Sequence, residues 1–130
     1  MLLHEELTEK IIGVFYETYN ELGHGFREIH YHRAMLIALQ DAGLAAAREV
    51  PAPVYFRGHC IGEQFLDLVA ADLVILEPKA CRAIIPDHEA QVMGYLRATY
   101  YEVGLILNLG PKPELKRIVF ENSRKRLPPR

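Results

Sequence analysis

Glu77-Pro78-Lys79 sets a carboxylate and an ammonium two positions apart at the end of an apolar run, Leu73-Val74-Ile75-Leu76, with a second acid, Asp67, ten residues upstream. Side chains alternate faces along a β-strand, so Glu77 and Lys79 project together while Leu76 and Pro78 point the other way. Charges at the end of a buried strand are costly to desolvate unless something uses them. If Ala71-Asp72 closes a hairpin, about five residues on each side of the turn bring Asp67 opposite Glu77. Mg²⁺ takes a few carboxylates plus water, lowers the pKa of a bound water and neutralises charge developing on a phosphoryl oxygen. Asp67 and Glu77 are suitable ligands, and Lys79 on the same face is placed to position a water or stabilise a transition state. That chemistry is metal-assisted hydrolysis of a phosphodiester. An interstrand Asp–Lys or Glu–Lys pair at a sheet edge accounts for the same spacing without any chemistry.

Two helical pairs bear on the choice. Gln91 and Tyr95 are four apart and share a helix face, where an amide and a phenol could orient water, phosphate or a neighbouring lysine. An ordinary helix surface with a buried tyrosine fits them equally well. Glu28 and Tyr31 are three apart and follow Gly25. Glu28 falls in a first helical turn, where the helix dipole alone favours a carboxylate. Of the histidines, His30 and His32 face apart and form no shared site, and His24 and His59 read as isolated non-ligands. His88 lies one turn before Gln91 and could face the same cleft.

These residues need elements to hold them. Leu7, Ile11, Phe15, Tyr19 and Leu22 recur at steps of four and three, marking a helix over about 6–22 that Gly23-His24-Gly25 stops. A second helix is expected over about 26–42, with Phe26, Ile29, Met35, Leu36 and Leu39 mostly inward and Gly43 as its stop. Ala47–Val54 carries Pro51 and Pro53 and reads as an edge strand, continuing through Arg57-Gly58-His59 into a hairpin with Ile61–Ala70. Leu73–Lys79 follows, then a helix opening at Pro86 and running to about Tyr100, then strands at Val103–Leu109 and Leu115–Glu121. The order α-α-β-β-β-α-β-β predicts an α/β sandwich of two or three layers around a mixed sheet.

The chain has 130 residues, half of them hydrophobic and a quarter charged, as in one ordinary domain. It divides into residues 1–121, a single domain, and a basic tail, 122–130. From Lys112 to Arg130 seven cations face two acids, so that segment carries +5 within a net charge of −2. A basic end beside an acidic body fits a tail that meets phosphate and a body that binds metal, although a solvated tail gives the same numbers. No apolar run approaches the roughly 20 residues of a membrane span. His4-Glu5-Glu6 interrupts any signal-peptide core, and Cys60 and Cys81 form neither a CxxC pair nor a zinc spacing. A cytoplasmic protein with two reduced thiols and no membrane contact is expected.

Together the motifs resemble a known family. Gly25-Phe26-Arg27-Glu28-Ile29-His30-Tyr31 matches the signature of the GxxExxY proteins, a family of the PD-(D/E)XK nuclease superfamily. Leu7–Gly13, Val50-Pro51, Asp67 with Glu77-x-Lys79, and His88–Gln91 leading to Tyr95 extend the resemblance over nearly the whole chain. It implies a restriction-endonuclease-like core that cuts nucleic acid, DNA before RNA, with Mg²⁺ or Mn²⁺. Asp67, Glu77 and the carbonyl of Pro78 would bind the metal, with Glu28 as an added helical acid. Lys79 would activate or orient water, Gln91 and Tyr95 would steady Lys79 and the phosphate, Tyr31 would pack or hydrogen-bond behind Glu28, and Gly25 would let the helix start close to the sheet. Two departures stand out. Pro78 replaces the usual aliphatic residue, so its strand is expected to be bent or at an edge. Phe65 stands where the family tends to place an arginine.

The same features also fit a catalytically weak or inactive module that binds nucleic acid or a protein partner, favoured by Pro78 and the acidic body. Exposed edge strands would permit a homodimer with two active sites in either case.

Overall fold

The structure, a computed structural model, describes residues 3–128. The first apolar stripe becomes α1, Glu5–Leu22, ending where Gly23 takes a φ of 66° that side-chain-bearing residues resist. α2, Glu28–Asp41, buries Tyr31, His32, Met35 and Leu39. Phe26 and Ile29, expected inward, are 49% and 37% exposed. Phe26 precedes the helix, and Ile29 sits roughly 100° around it from the centre of the buried stripe.

Two tight reversals then build a meander of β1 (Ala46–Phe56), β2 (His59–Ala70) and β3 (Val74–Lys79). Both turns use paired positive φ angles, 49° and 80° at Arg57 and Gly58, and 53° and 52° at Ala71 and Asp72. Such turns match the right-handed twist of the strands they join. α3 (Pro86–Ala98) crosses over to β4 (Val103–Leu109), which pairs parallel with β3, and β5 (Pro113–Val119) returns antiparallel. The sheet order is β1-β2-β3-β4-β5. α1 and α2 cover one face, against Leu68, Leu76, Leu105 and Leu107; α3 covers the other, with Val92 and Leu96 against Ile75 and Ile106. This is the expected element order in a three-layer sandwich, with Pro51 and Pro53 on the edge strand β1. Among the described residues no helix is long and apolar enough to cross a membrane.

Pro78 does not lie at a sheet edge, because β3 is the middle strand. The hydrogen-bond pattern explains how a proline survives there. β3 pairs with β4 through Lys79↔Asn108, whereas its pairing with β2 ends at Leu68↔Leu76. The nitrogen and carbonyl of one strand residue point to the same side. The Pro78 carbonyl lies 3.2 Å from His32 Nε2, on the side β2 has left. The missing N–H therefore costs the β4 ladder nothing.

β2 leaves β3 because the hairpin rolls at this level. Its pairing steps from Arg48↔Leu68 to Val50↔Leu66, passing over Glu49 and Asp67, and Glu49 holds a φ of 53°. Below the roll Leu68 and Ala70 face the α1–α2 core; above it Ala52 and Leu66 face the α3 core. A strained residue thus sits opposite Asp67, and strain of this kind concentrates at functional sites.

One glycine fixes the chain beyond β3. A Cβ on Gly110 would lie 1.9 Å from the carbonyl oxygen of Cys81. Gly110→Ala is expected to cost about 3 kcal/mol, as overpacking against backbone does. Urea denaturation measures it; an unchanged midpoint would mean that the Cys81 segment yields freely.

Candidate active site

The end of β3, the rolled hairpin, α2 and α3 converge on one cluster. Asp67 lies one step beyond the last β2–β3 pair, at the position that faces Glu77. Glu77 is 2% exposed, its Oε1 is 3.3 Å from Lys79 Nζ, and its Oε2 is buried without a hydrogen-bond partner. Burial, and then Asp67 beside it, push the Glu77 carboxyl up to about 8 despite Lys79.

Lys79 reaches from β3 towards α2, with Nζ 3.7 Å from Glu28 Oε1. Burial works against its charge, but Glu77, Glu28 and Asp67 outweigh that and lift the ammonium above its ordinary range. It stays charged. On α3, the exposed Gln91 donates from Nε2 to the hydroxyl of the buried Tyr95 at 2.8 Å. Burial and the acids Glu77 and Asp67 push that phenol up to about 12, so it keeps its proton as a donor.

Glu28 is carried by the first turn of α2, and Tyr31 anchors that turn. The fully buried Tyr31 hydroxyl donates to the Gly23 carbonyl at 2.6 Å and accepts the Phe26 N–H at 3.3 Å, closing the loop that contains Gly25. Gly25 has a φ of 115°, and a Cβ there would meet no atom within 4 Å. Its role is therefore the backbone angle, not the close approach to the sheet expected from the sequence.

Two residues of the cluster were not singled out by the sequence. His32 Nε2 lies 3.2 Å from the Pro78 carbonyl and 3.6 Å from Asp67 Oδ2. Facing two acceptors, Nε2 carries the hydrogen. Its spacing of four from Glu28 on one helix face was the available signal. His30 and His88 instead cap their helices, each accepting on Nδ1 the N–H of the residue three before it, Arg27 at 3.3 Å and Ile85 at 3.2 Å. The second is Asn108, fully buried beside Lys79 in the sheet. Its amide accepts the Cys81 N–H at 3.0 Å and donates to the Cys81 carbonyl at 2.9 Å, tying the chain after Lys79 to β4. An amide inside Leu105-Ile106-Leu107-Asn108-Leu109 was its mark in the sequence. Asn108→Leu is expected to cost about 2 kcal/mol from the stranded Cys81 groups and to slow any reaction that uses Lys79. Thermal melts and turnover measured together check both effects.

Among the described residues no three His, Cys, Asp or Glu side chains gather into a group that could hold a metal ion. Glu28 is joined to Glu77 through Lys79 rather than directly. Asp67, Glu77 and the Pro78 carbonyl are nevertheless the hard oxygen donors a divalent cation takes. The orphaned Oε2 and the like charges beside it are what a cation would relieve.

The family model of the PD-(D/E)XK nuclease superfamily matches residues 5–118, from α1 into β5. No curated protein and no solved structure matches the chain.

Proposed function

The chain belongs to the PD-(D/E)XK nuclease superfamily, and from that premise we propose that it is a divalent-metal-dependent nuclease that hydrolyses phosphodiester bonds of DNA, with RNA the less favoured substrate. The observation that carries this reading is Glu77: a buried carboxyl with an orphaned oxygen, set against Asp67 and held by Lys79. Asp67, Glu77 and the Pro78 carbonyl would hold Mg²⁺ or Mn²⁺, with Glu28 as the added helical acid. When bound, the ion supplies Lewis acidity and a more acidic water. Lys79, charged and fixed, orients the attacking water and offsets charge on the phosphate. Tyr95 keeps its proton and, with its oxygen already accepting from Gln91, has its hydrogen to donate. His32 steadies Asp67 and the Pro78 carbonyl from α2. The narrower GxxExxY assignment rests on Gly25, Glu28 and Tyr31.

The test is cleavage of linear, circular, branched and single-stranded DNA and of RNA, in Mg²⁺, Mn²⁺ or EDTA. Metal-dependent cutting that disappears in EDTA and in Asp67→Asn protein is expected. Cutting that persists at the wild-type rate in both Asp67→Ala and Lys79→Ala protein would assign it to a contaminant. A catalytically inactive nucleic-acid-binding module is the second reading, favoured by the bridging of Glu28 and Glu77 through Lys79. Binding without cleavage in every metal is its signature.

A further inference from the structure

After β5 the chain turns back and is fastened against the end of α3. The Asn122 N–H donates to Glu102 Oε2 at 2.9 Å and its amide to the Tyr100 carbonyl at 2.9 Å, while the Lys125 ammonium donates to the carbonyls of Thr99 and Tyr101. The Tyr100 hydroxyl also donates to the Pro128 carbonyl, so the basic segment is held in place through residue 128. Between it, α3 and the β1–β2 hairpin runs a groove of about 490 Å³, lined by Gln64, Gly94, Phe120 and three exposed arginines, Arg97, Arg124 and Arg126.

Phe120 gathers two of these cations. The guanidinium carbons of Arg97 and Arg124 lie 5.6 and 5.0 Å from its ring centroid. Stacking uses the guanidinium face and leaves the in-plane N–H fork for an acceptor with two oxygens. Among the described residues none of the three arginines lies within ion-pair distance of a carboxylate. Uncompensated arginines beside one another in a chain of net charge −2 mark a place for an anion.

The groove also adjoins the carboxylate cluster. Gly94 is one turn after Gln91 on α3, and Gln64 is three residues before Asp67 on β2. From Gln91 to Arg97 the helix advances about 9 Å. We propose that this groove carries the phosphate backbone of a nucleic-acid strand leading away from the Asp67–Glu77 site, with Arg97, Arg124 and Arg126 as its phosphate contacts. The identity of the polymer rests on the nuclease reading; the anion-binding groove does not. Tyr55, 42% exposed at the rim, offers a face on which a base can stack.

Fluorescence anisotropy with labelled single-stranded and duplex oligonucleotides, in EDTA over a range of salt, tests this without any cleavage. Neutralising all three arginines (Arg97→Ala with Arg124→Ala and Arg126→Ala) is expected to weaken binding about tenfold or more and to lower the salt slope by about 2 on single-stranded and nearly 3 on duplex oligonucleotides. Arg126→Ala alone, which disturbs no Phe120 contact, should lower the slope by somewhat under 1. Lys10→Ala, on α1 across the sheet, should change neither. Unchanged affinity and slope in both arginine variants on both substrates, or an equal loss in Lys10→Ala, would overturn the proposal. A protein that binds through the arginines but never cuts would instead overturn the nuclease reading alone.

Discussion

Lys79→Ala protein is expected to cleave DNA roughly 10²–10³-fold more slowly than wild type, the usual cost of one transition-state donor, while still binding it within a few-fold. Two losses converge. The fixed charge beside the phosphate disappears, and Glu77 loses the ammonium at 3.3 Å that favours its ionised form. Its carboxyl then rises further and grips a cation less well. Lys79→Arg is not expected to rescue activity, because a planar fork cannot take the place of a compact ammonium 3.3 Å from Glu77 and 3.7 Å from Glu28. Single-turnover rates on saturating DNA, with anisotropy in EDTA beside them, separate chemistry from binding. Wild-type rates in Lys79→Ala would remove Lys79 from the mechanism.

Glu77→Gln is expected to abolish cleavage and to stabilise the metal-free protein at alkaline pH. The folded Glu77 carboxyl titrates at about 8, against 4.5 for a free glutamate, chiefly through burial. Between those values the folded protein holds a proton that the unfolded chain releases, so raising the pH favours unfolding. The stability this contributes is complete below about 4.5 and is lost as pH passes 8. At about 1.4 kcal/mol per unit the stake is on the order of a few kcal/mol, or roughly 10 °C in Tm. Melts in EDTA should therefore fall from pH 5 to pH 8 for wild type and stay flatter for Glu77→Gln, with Mg²⁺ closing the gap. A wild-type Tm that is level across that range would contradict the buried, repelled carboxyl.

Most of the frame was legible because its signals are local. The steps of three and four in α1, the paired turns at Arg57-Gly58 and Ala71-Asp72, and the ten-residue interval from Asp67 to Glu77 each act within one element or one hairpin. What the sequence concealed depends on how elements meet. Pro78 read as the mark of a bent or an edge strand because nothing local says that β2 departs while β4 stays. Glu49 bears no mark of its positive φ, since the hairpin's roll imposes it. His32 and Asn108 join the cluster through contacts 46 and 27 residues away in sequence, to Pro78 and Cys81. Ile29 missed the core by a fraction of a helical turn, which the crossing of α2 over the sheet decides.

The most direct test of a metal-dependent centre at Asp67 and Glu77 is calorimetric titration of Mg²⁺ at neutral pH in two buffers of different ionisation heat. One ion should bind, and the buffer dependence should report a proton released as Glu77 ionises to accept it. Asp67→Asn and Glu77→Gln should each abolish the heat. No binding to wild-type protein, or unchanged binding to Glu77→Gln, would contradict the assignment.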